Sequence, residues 1–304
     1  MKAKIINGIK IAADIKSELK RELEIISKTC GHRTPNLTAI QIGEDDASAF
    51  YIKNQKANCE ALGISYTLLQ FSHKSREEEI TAAIHKANID GTVTGVIVHM
   101  PLPKHINPMN VLAAINPEKD VEGITPTNLG MLFYHDVNLS VTPCTALSVM
   151  ECLKETGASV AGKEVVIVGH SEIVGKSLCL MFLSSLYKSA TPTVCHIATK
   201  NLEFHTKRAD ILVVAVGKTE FIKGDMVKEG AIVIDVGINR KLIQTGQDRN
   251  PSEAAAFKTV GDVDFAEVSR VAGYITPVPG GVGPVTTAIL LKNLVSLYKL
   301  QNRK

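Results

Sequence analysis

A chain of 304 residues is longer than a single domain usually runs, and 45% hydrophobic against 21% charged residues describes a globular protein with a real core, not a disordered one. A formal net charge of +3, with lysines and glutamates intermixed, leaves no electrostatic footprint for nucleic acid or an anionic membrane. The start lacks the apolar run of a secretory signal, and no stretch of about 18 apolar residues suggests a membrane span, so a cytoplasmic location is expected.

Six cysteines (Cys30, Cys59, Cys144, Cys152, Cys179 and Cys195) form no Cys-x-x-Cys pair, and no metal site is expected. In chain order, Ile11, Ile15, Leu19, Leu23 and Ile26 recur at three- and four-residue steps and predict an amphipathic helix over 9–27. A strand follows over 37–42, ending at Gly43, then a helix over 48–62 closed by Gly63 and a strand over 64–71. A helix over 76–88 leads to the run 95–100, whose continuous apolar character fits a buried parallel strand. Pro101 and Pro103 halt it, and Pro108, Pro117 and Pro126 point to loops in place of long regular elements. A helix over 145–156 bridges to β-rich runs at 165–168, 193–195, 211–215 and 232–236, the series expected of a nucleotide-binding sheet. A helical pattern over 178–186 follows the first of these runs, and another fills the tail, 286–300. Strands alternating with helices make the fold class α/β, in two domains.

The segment from Gly169 through His170, Ser171, Glu172, Ile173 and Val174 to Gly175 follows a strand and opens a helix. That placement gathers unpaired backbone N–H groups and the positive end of the helix dipole where a pyrophosphate can sit. Gly175-Lys176-Ser177 imitates a P-loop, but five residues separate the two glycines where that motif has four. Nor is it G-x-G-x-x-G, so a plain strand-to-helix turn stays open on the loop alone.

Four segments carry a resemblance across nearly the whole chain. They are 43–63 with Ser48-Ala49-Phe50-Tyr51; Met100-Pro101-Leu102-Pro103 with Lys119-Asp120-Val121-Glu122-Gly123; Pro143-Cys144-Thr145 with the 169–175 loop; and 275–286, rich in Pro277, Pro279, Gly280, Gly281, Gly283 and Pro284. Together they resemble the bifunctional methylenetetrahydrofolate dehydrogenase/methenyltetrahydrofolate cyclohydrolase family. The resemblance implies a folate-binding amino-terminal domain over 1–145, rejoined by a terminal helix over 284–304. A Rossmann-type NAD(P) domain over 146–283 follows from it too, with a cleft between the domains and homodimers. It further implies hydride transfer from 5,10-methylenetetrahydrofolate to NADP, with NAD as the alternative, then water attack on the methenyl product. The expected folate-side residues are Tyr51, Glu122, Pro277, Gly280 and Gly281. Expected on the nucleotide side are Gly169, His170, Ser171, Ile173, Val174, Gly175, Ile197 and Ile238.

The catalytic positions depart from the family pattern. Where the family has a lysine one helical turn after Tyr51, this chain has Gln55, and an amide cannot carry a proton near neutral pH. Water activation is therefore the step expected to suffer, while hydride transfer, which needs chiefly alignment, is expected to persist. The family glutamine before the Met-Pro-Leu-Pro segment is His99, expected to titrate near neutrality and take over acid/base work; a buried histidine with structural bonds alone is the other reading. The family aspartate is Glu122, which keeps a carboxylate for the pterin's amino-pyrimidine edge. The arginine of the nucleotide loop is His170 and a frequently polar position is Ile197, so a weaker preference for NADP over NAD is expected. A catalytically silent folate- or nucleotide-binding paralogue is the second reading. A two-domain dehydrogenase for a small hydroxy acid is the third, opposed by the Tyr51 region and by segment 276–284.

Overall fold

The computed structural model describes residues 2–29, 33–43, 46–134, 141–184, 189–242 and 257–302, with residues 29 and 46–50 described by backbone alone. They form two compact units, residues 12–144 with 287–304 and residues 1–11 with 145–286. The chain opens with β1 (Lys4–Ile5), α1 (Gly8–Thr29), β2 (Asn36–Ile42), α2 (Asp46–Ala61), β3 (Ser65–Phe71), α3 (Glu77–Ile89) and β4 (Gly95–Val98). Apart from β1, too short to leave a pattern, these are the expected elements, with ends shifted by at most two residues. Their stops have local causes: Gly43 and Gly63 adopt φ of +79° and +70°, open to glycine at little cost. At the start of α3 the Glu79 carboxylate takes the Arg76 N–H at 3.0 Å.

Strands β3-β2-β4 form a parallel sheet in that order. One face buries Ile40, Ile42, Val96 and Val98 against Ile80 and Ile84 of α3 and Val111. Each such side chain contributes about 1.5–3 kcal/mol, so this layer outweighs the few unpaired polar groups on the opposite face. In register, that opposite face carries Tyr66 beside Leu37, Leu68 beside Ala39, and Gln70 beside Gln41. His99, one residue beyond β4, stays in line because its N–H bonds the Ile40 carbonyl at 2.9 Å.

The prolines expected to mark loops instead start helices, α4 (Pro108–Ala114), a 3-10 turn (Pro117–Lys119) and α5 (Pro126–Phe133). Proline lacks only an N–H that the first helical turn leaves unpaired anyway. The Asn107, Asn116 and Thr125 side chains before them cap the next free N–H groups, a signal that breaker reasoning passes over.

Helix α6 (Cys144–Glu155) leads to β5 (Glu164–Val168), α7 (Ser177–Phe182), β6 (Thr191–Cys195), α8 (Leu202–Thr206), β7 (Ile211–Val214) and β8 (Ile232–Asp235). The predicted helix over 178–186 is thus found to Phe182, and residues 185 and 186 lie outside the described residues, as does Cys30. After these come an antiparallel pair, β9 (Asn239–Leu242) with β10 (Phe257–Val260), then α9 (Phe265–Val268), β11 (Tyr274–Ile275) and α10 (Val282–Gln301). A six-stranded parallel sheet runs β1-β11-β8-β7-β5-β6, so the chain's first strand closes one edge of the nucleotide-type sheet. Its core is Val166, Val168, Leu212, Val214, Val233 and Ile275 with Ile222. Helix α10 begins in this unit, while Asn293, further along it, donates to the Val121 and Thr142 carbonyls of the other unit's chain segment, both at 2.9 Å. Among the described residues no helix is long and apolar enough to cross a membrane.

Candidate active site

Parallel sheets place ligands beyond the carboxyl ends of their strands. At that edge of the three-stranded sheet lie Gln41, Gln70 and His99, with the Gln70 amide donating to Gln41 Oε1 at 3.1 Å. Helix α2 covers the same face with Gln55 and Cys59, both buried, one turn apart, while Lys53 and Lys56 point outward. Sequence spacing anticipated this division of the helix. Lys56 spends its charge on a surface pair with Glu60 at 3.9 Å.

Gln55 is 1% exposed, and its Oε1 accepts the Tyr66 hydroxyl proton at 2.9 Å, while its Nε2 has no partner among the described residues. His99, 8% exposed, likewise has an unpartnered Nε2. A buried polar atom without a partner costs about 1–3 kcal/mol, so two of them beside one another's elements mark a site left to be completed. The Tyr51 ring meets the His99 ring edge-on at 5.7 Å between centroids. Burial, and then the Glu122 charge, push the Tyr51 hydroxyl above its ordinary range, with a Thr287 hydrogen bond opposing. A raised phenol stays a hydrogen-bond donor at physiological pH.

Burial lowers His99 to about 4, which corrects the expectation that it titrates near neutrality. Desolvation penalises the imidazolium and is the cause of the shift. His99 is therefore a neutral imidazole, able to accept a proton but not to deliver one at pH 7.

The Lys119–Gly123 segment divides into scaffold and site. Buried Lys119 donates to the Ala87 and Asp90 carbonyls at 2.8 and 2.7 Å. Asp120 accepts from the Glu122, Gly123 and Thr125 N–H groups and from the Asn128 amide, which ties the loop into a fixed turn. Gly123 has φ of +68°, and a Cβ there would stand 2.7 Å from the Thr142 carbonyl carbon. Burial followed by the Asp120 charge raises the Glu122 carboxyl to about 8.

At the carboxyl edge of the six-stranded sheet, Gly169 and Gly175 are required by space. A Cβ on Gly169 would lie 2.2 Å from the Ala215 carbonyl oxygen, and one on Gly175 would lie 2.0 Å from that of Gly169. Ser171 Oγ accepts the Val174 N–H at 3.3 Å and opens a π-helical turn over Glu172–Lys176. Lys176 pairs with Glu172 at 2.6 Å on the surface, away from any P-loop role. The His170 and His196 rings meet at 5.1 Å, and Ile173 and Ile197 are exposed nearby in sequence. Ile238, 70% exposed, lines one cavity together with Pro277, Gly280 and Gly281. Gly281 also sits where α1 starts, since a Cβ on Gly8 would meet its carbonyl oxygen at 1.7 Å.

Sequence reasoning missed two buried carboxylates in this unit. Asp235 accepts the Gly237, Asp262 and Val263 N–H groups, and Asp262 accepts those of Val216 and Gly217 and the Asn239 amide. Burial raises Asp235 to about 7, against the lowering effect of those N–H bonds. The available signal was an aspartate ending the apolar run 232–234 and another directly after Gly261, with Gly237 beyond the first. Tyr66 and Gln70 on β3 were missed as well, because a strand's polar face looks the same whether it meets water or a ligand.

The tetrahydrofolate dehydrogenase/cyclohydrolase catalytic domain matches residues 6–122, and the NAD(P)-binding domain of the same family matches residues 143–302. The chain is 46% identical over 301 residues to a bifunctional FolD protein of Acetivibrio thermocellus, covering 99% of each. It is similar in structure to a bifunctional methylenetetrahydrofolate dehydrogenase/cyclohydrolase from Campylobacter jejuni, with a TM-score of 0.88, 38% identity and coverage of 98% and 99%. With the Trypanosoma brucei FolD enzyme, solved with NADP and an inhibitor, the TM-score is 0.92 at 33% identity, covering 100% of both chains.

Proposed function

This chain belongs to the tetrahydrofolate dehydrogenase/cyclohydrolase family, and from that premise we propose how its own residues divide the work. It oxidises 5,10-methylenetetrahydrofolate to the methenyl form with NADP and hydrolyses that product to 10-formyltetrahydrofolate. In our reading Glu122 grips the pterin's amino-pyrimidine edge, Tyr51 lies beside the reacting carbon, and the 169–175 turn receives the pyrophosphate. Bound NADP would be held by Gly169, Ser171, Val174 and Gly175, with His170, Ile173, Ile197 and Ile238 around it, and it supplies the hydride acceptor. The space-limited glycines of that turn are what fit a diphosphate, since they let backbone N–H groups approach it closely.

One observation carries the division of rates: position 55 holds a buried amide bonded to a phenol. An amide orients but does not shuttle protons, so the hydrolase is the slower half and the dehydrogenase the stronger. Neutral His99 is the group left to accept the water's proton. A paired spectrophotometric assay of both half-reactions with NADP and with NAD tests this. Gln55→Lys should raise methenyltetrahydrofolate hydrolysis by about a hundredfold, the lower part of what general acid/base groups contribute. An unchanged hydrolysis rate would remove position 55 from the water step. Self-association as a homodimer and a cytoplasmic location belong to the same reading, and light scattering of the purified chain checks the first.

A further inference from the structure

We propose that Tyr66 is a positioning residue that fixes the Gln55 amide with its N–H2 toward the ligand, making position 55 a dedicated hydrogen-bond donor for an oxygen of the bound folate. The inference rests on the folate reading above and names what that site demands of its substrate.

Four observations meet here. Tyr66 lies on the sheet face that α2 covers, in register with Leu37. Its hydroxyl donates to Gln55 Oε1 at 2.9 Å, which engages the amide's acceptor end with a protein group. The amide's other end, Nε2, is buried and bonds nothing among the described residues. The phenol itself is held protonated, because burial is the largest cause raising it, with Cys59 and Tyr51 adding to it. With the phenol kept as O–H and its proton given to the amide oxygen, the N–H2 is the end left over; turned over, the amide would give an N–H to the phenol oxygen and leave its own oxygen over, which would ask the ligand for a donor instead.

The remaining N–H2 can be satisfied only by an acceptor. The pterin's ring carbonyl is such a group, and it is present in ground and transition states alike. A lysine ammonium would also donate at this place, so Tyr66 with Gln55 keeps the donor function of the family residue and gives up its proton. Thr38 Oγ1 is another buried atom without a partner, but its place in β2 turns it to the opposite, apolar face of the sheet. The Gln70 N–H2 is turned toward Gln41, to whose Oε1 it donates at 3.1 Å.

The test is a double-mutant cycle on the full chain, with Tyr66→Phe, Gln55→Leu and the pair, reading dehydrogenase kinetics with 5,10-methylenetetrahydrofolate and NADP. Tyr66→Phe removes one oxygen and keeps the ring, so the KM for NADP and the melting temperature should stay near those of the parent. The folate KM should rise about three- to tenfold with a smaller change in kcat, the pattern of a lost contact made equally in ground and transition states. In the Gln55→Leu background the same change should have no further effect, because Tyr66 acts only through the amide. Equal effects of Tyr66→Phe in both backgrounds, or an unchanged folate KM, would overturn the proposal. Gln55→Lys with Tyr66→Phe should recover the folate KM, since an ammonium donates in any orientation. Should Tyr66→Phe melt early, the comparison moves to Gln55→Leu against Gln55→Lys: a folate KM that does not distinguish the donor from the alkyl group refutes the assignment. Absence of turnover by the parent enzyme would instead sink the folate reading, which separates the two failures.

Discussion

The edges of the two parallel sheets handle buried polarity in opposite ways. At the three-stranded sheet, Gln55 and His99 each keep an amide or ring nitrogen without a partner among the described residues, and Glu122 is held up to about 8 by burial and then the Asp120 charge. At the six-stranded sheet, Asp235 and Asp262 are buried just as deeply, yet each carboxylate takes three N–H hydrogen bonds from the loops around it. The first edge leaves demands for a ligand to meet; the second has met its own and presents backbone. A site that recognises a pterin by side-chain hydrogen bonds needs the former, and one that cradles a diphosphate with main chain needs the latter.

The largest expected effect would break the second half of that contrast. Asp262→Ala strips the partner from the Val216 and Gly217 N–H groups and from the Asn239 amide at once. Removing one side of a buried network leaves the other side desolvated, so urea unfolding should show a loss of about 3–5 kcal/mol. A loss below about 1 kcal/mol would mean that water replaces the carboxylate and that the loops are not held by it.

The sequence already showed much of this scaffold and little of this contrast. Gly43, Gly63, the apolar stripe from Ile11 to Leu19 and the buried runs at 165–168 and 211–215 mark their elements because periodicity and glycine punctuation are local. Strand β1 has two residues, and only its pairing with β11, far along the chain, makes it part of a sheet. Tyr51, Gln55, His99 and Glu122 were legible through resemblance, and the structure gathers them on one unit. Their protonation was not legible, since desolvation depends on neighbours from several elements: burial lowers His99, and burial followed by the Asp120 charge raises Glu122. Tyr66 stayed hidden because its partner is set by how α2 lies across β3.

The next effect sharpens the demand at the first edge. Glu122 at about 8 is mostly a neutral acid at pH 7, whereas a pterin's N–H groups call for the carboxylate. Binding should therefore select the ionised fraction and release a proton. With apparent affinity scaling as that fraction, folate binding should tighten about fiftyfold between pH 6 and pH 8 and level off above it. Calorimetry in buffers of different ionisation enthalpy reads the released proton directly, which should diminish as pH rises through 8. Glu122→Gln should abolish both the slope and the release, and a wild-type affinity that is flat over this range would assign the pterin a neutral acid as its partner.

The smallest effect concerns what the backbone-lined edge lacks. His170 meets the His196 ring at 5.1 Å, and a histidine offers a 2′-phosphate fewer donors than a guanidinium does. An arginine at that place would bring a planar fork that is always charged, and one charge-assisted contact of this kind is worth about 1.5–3 kcal/mol. His170→Arg should therefore raise the preference for NADP over NAD by roughly tenfold, through the KM for NADP and not through kcat. Because the loop's glycines and Ser171 do not change, the KM for NAD should stay as it is. An equal gain for both cofactors would show that the new side chain acts on the shared diphosphate, and that selectivity for the 2′-phosphate is decided on another element of the sheet's edge.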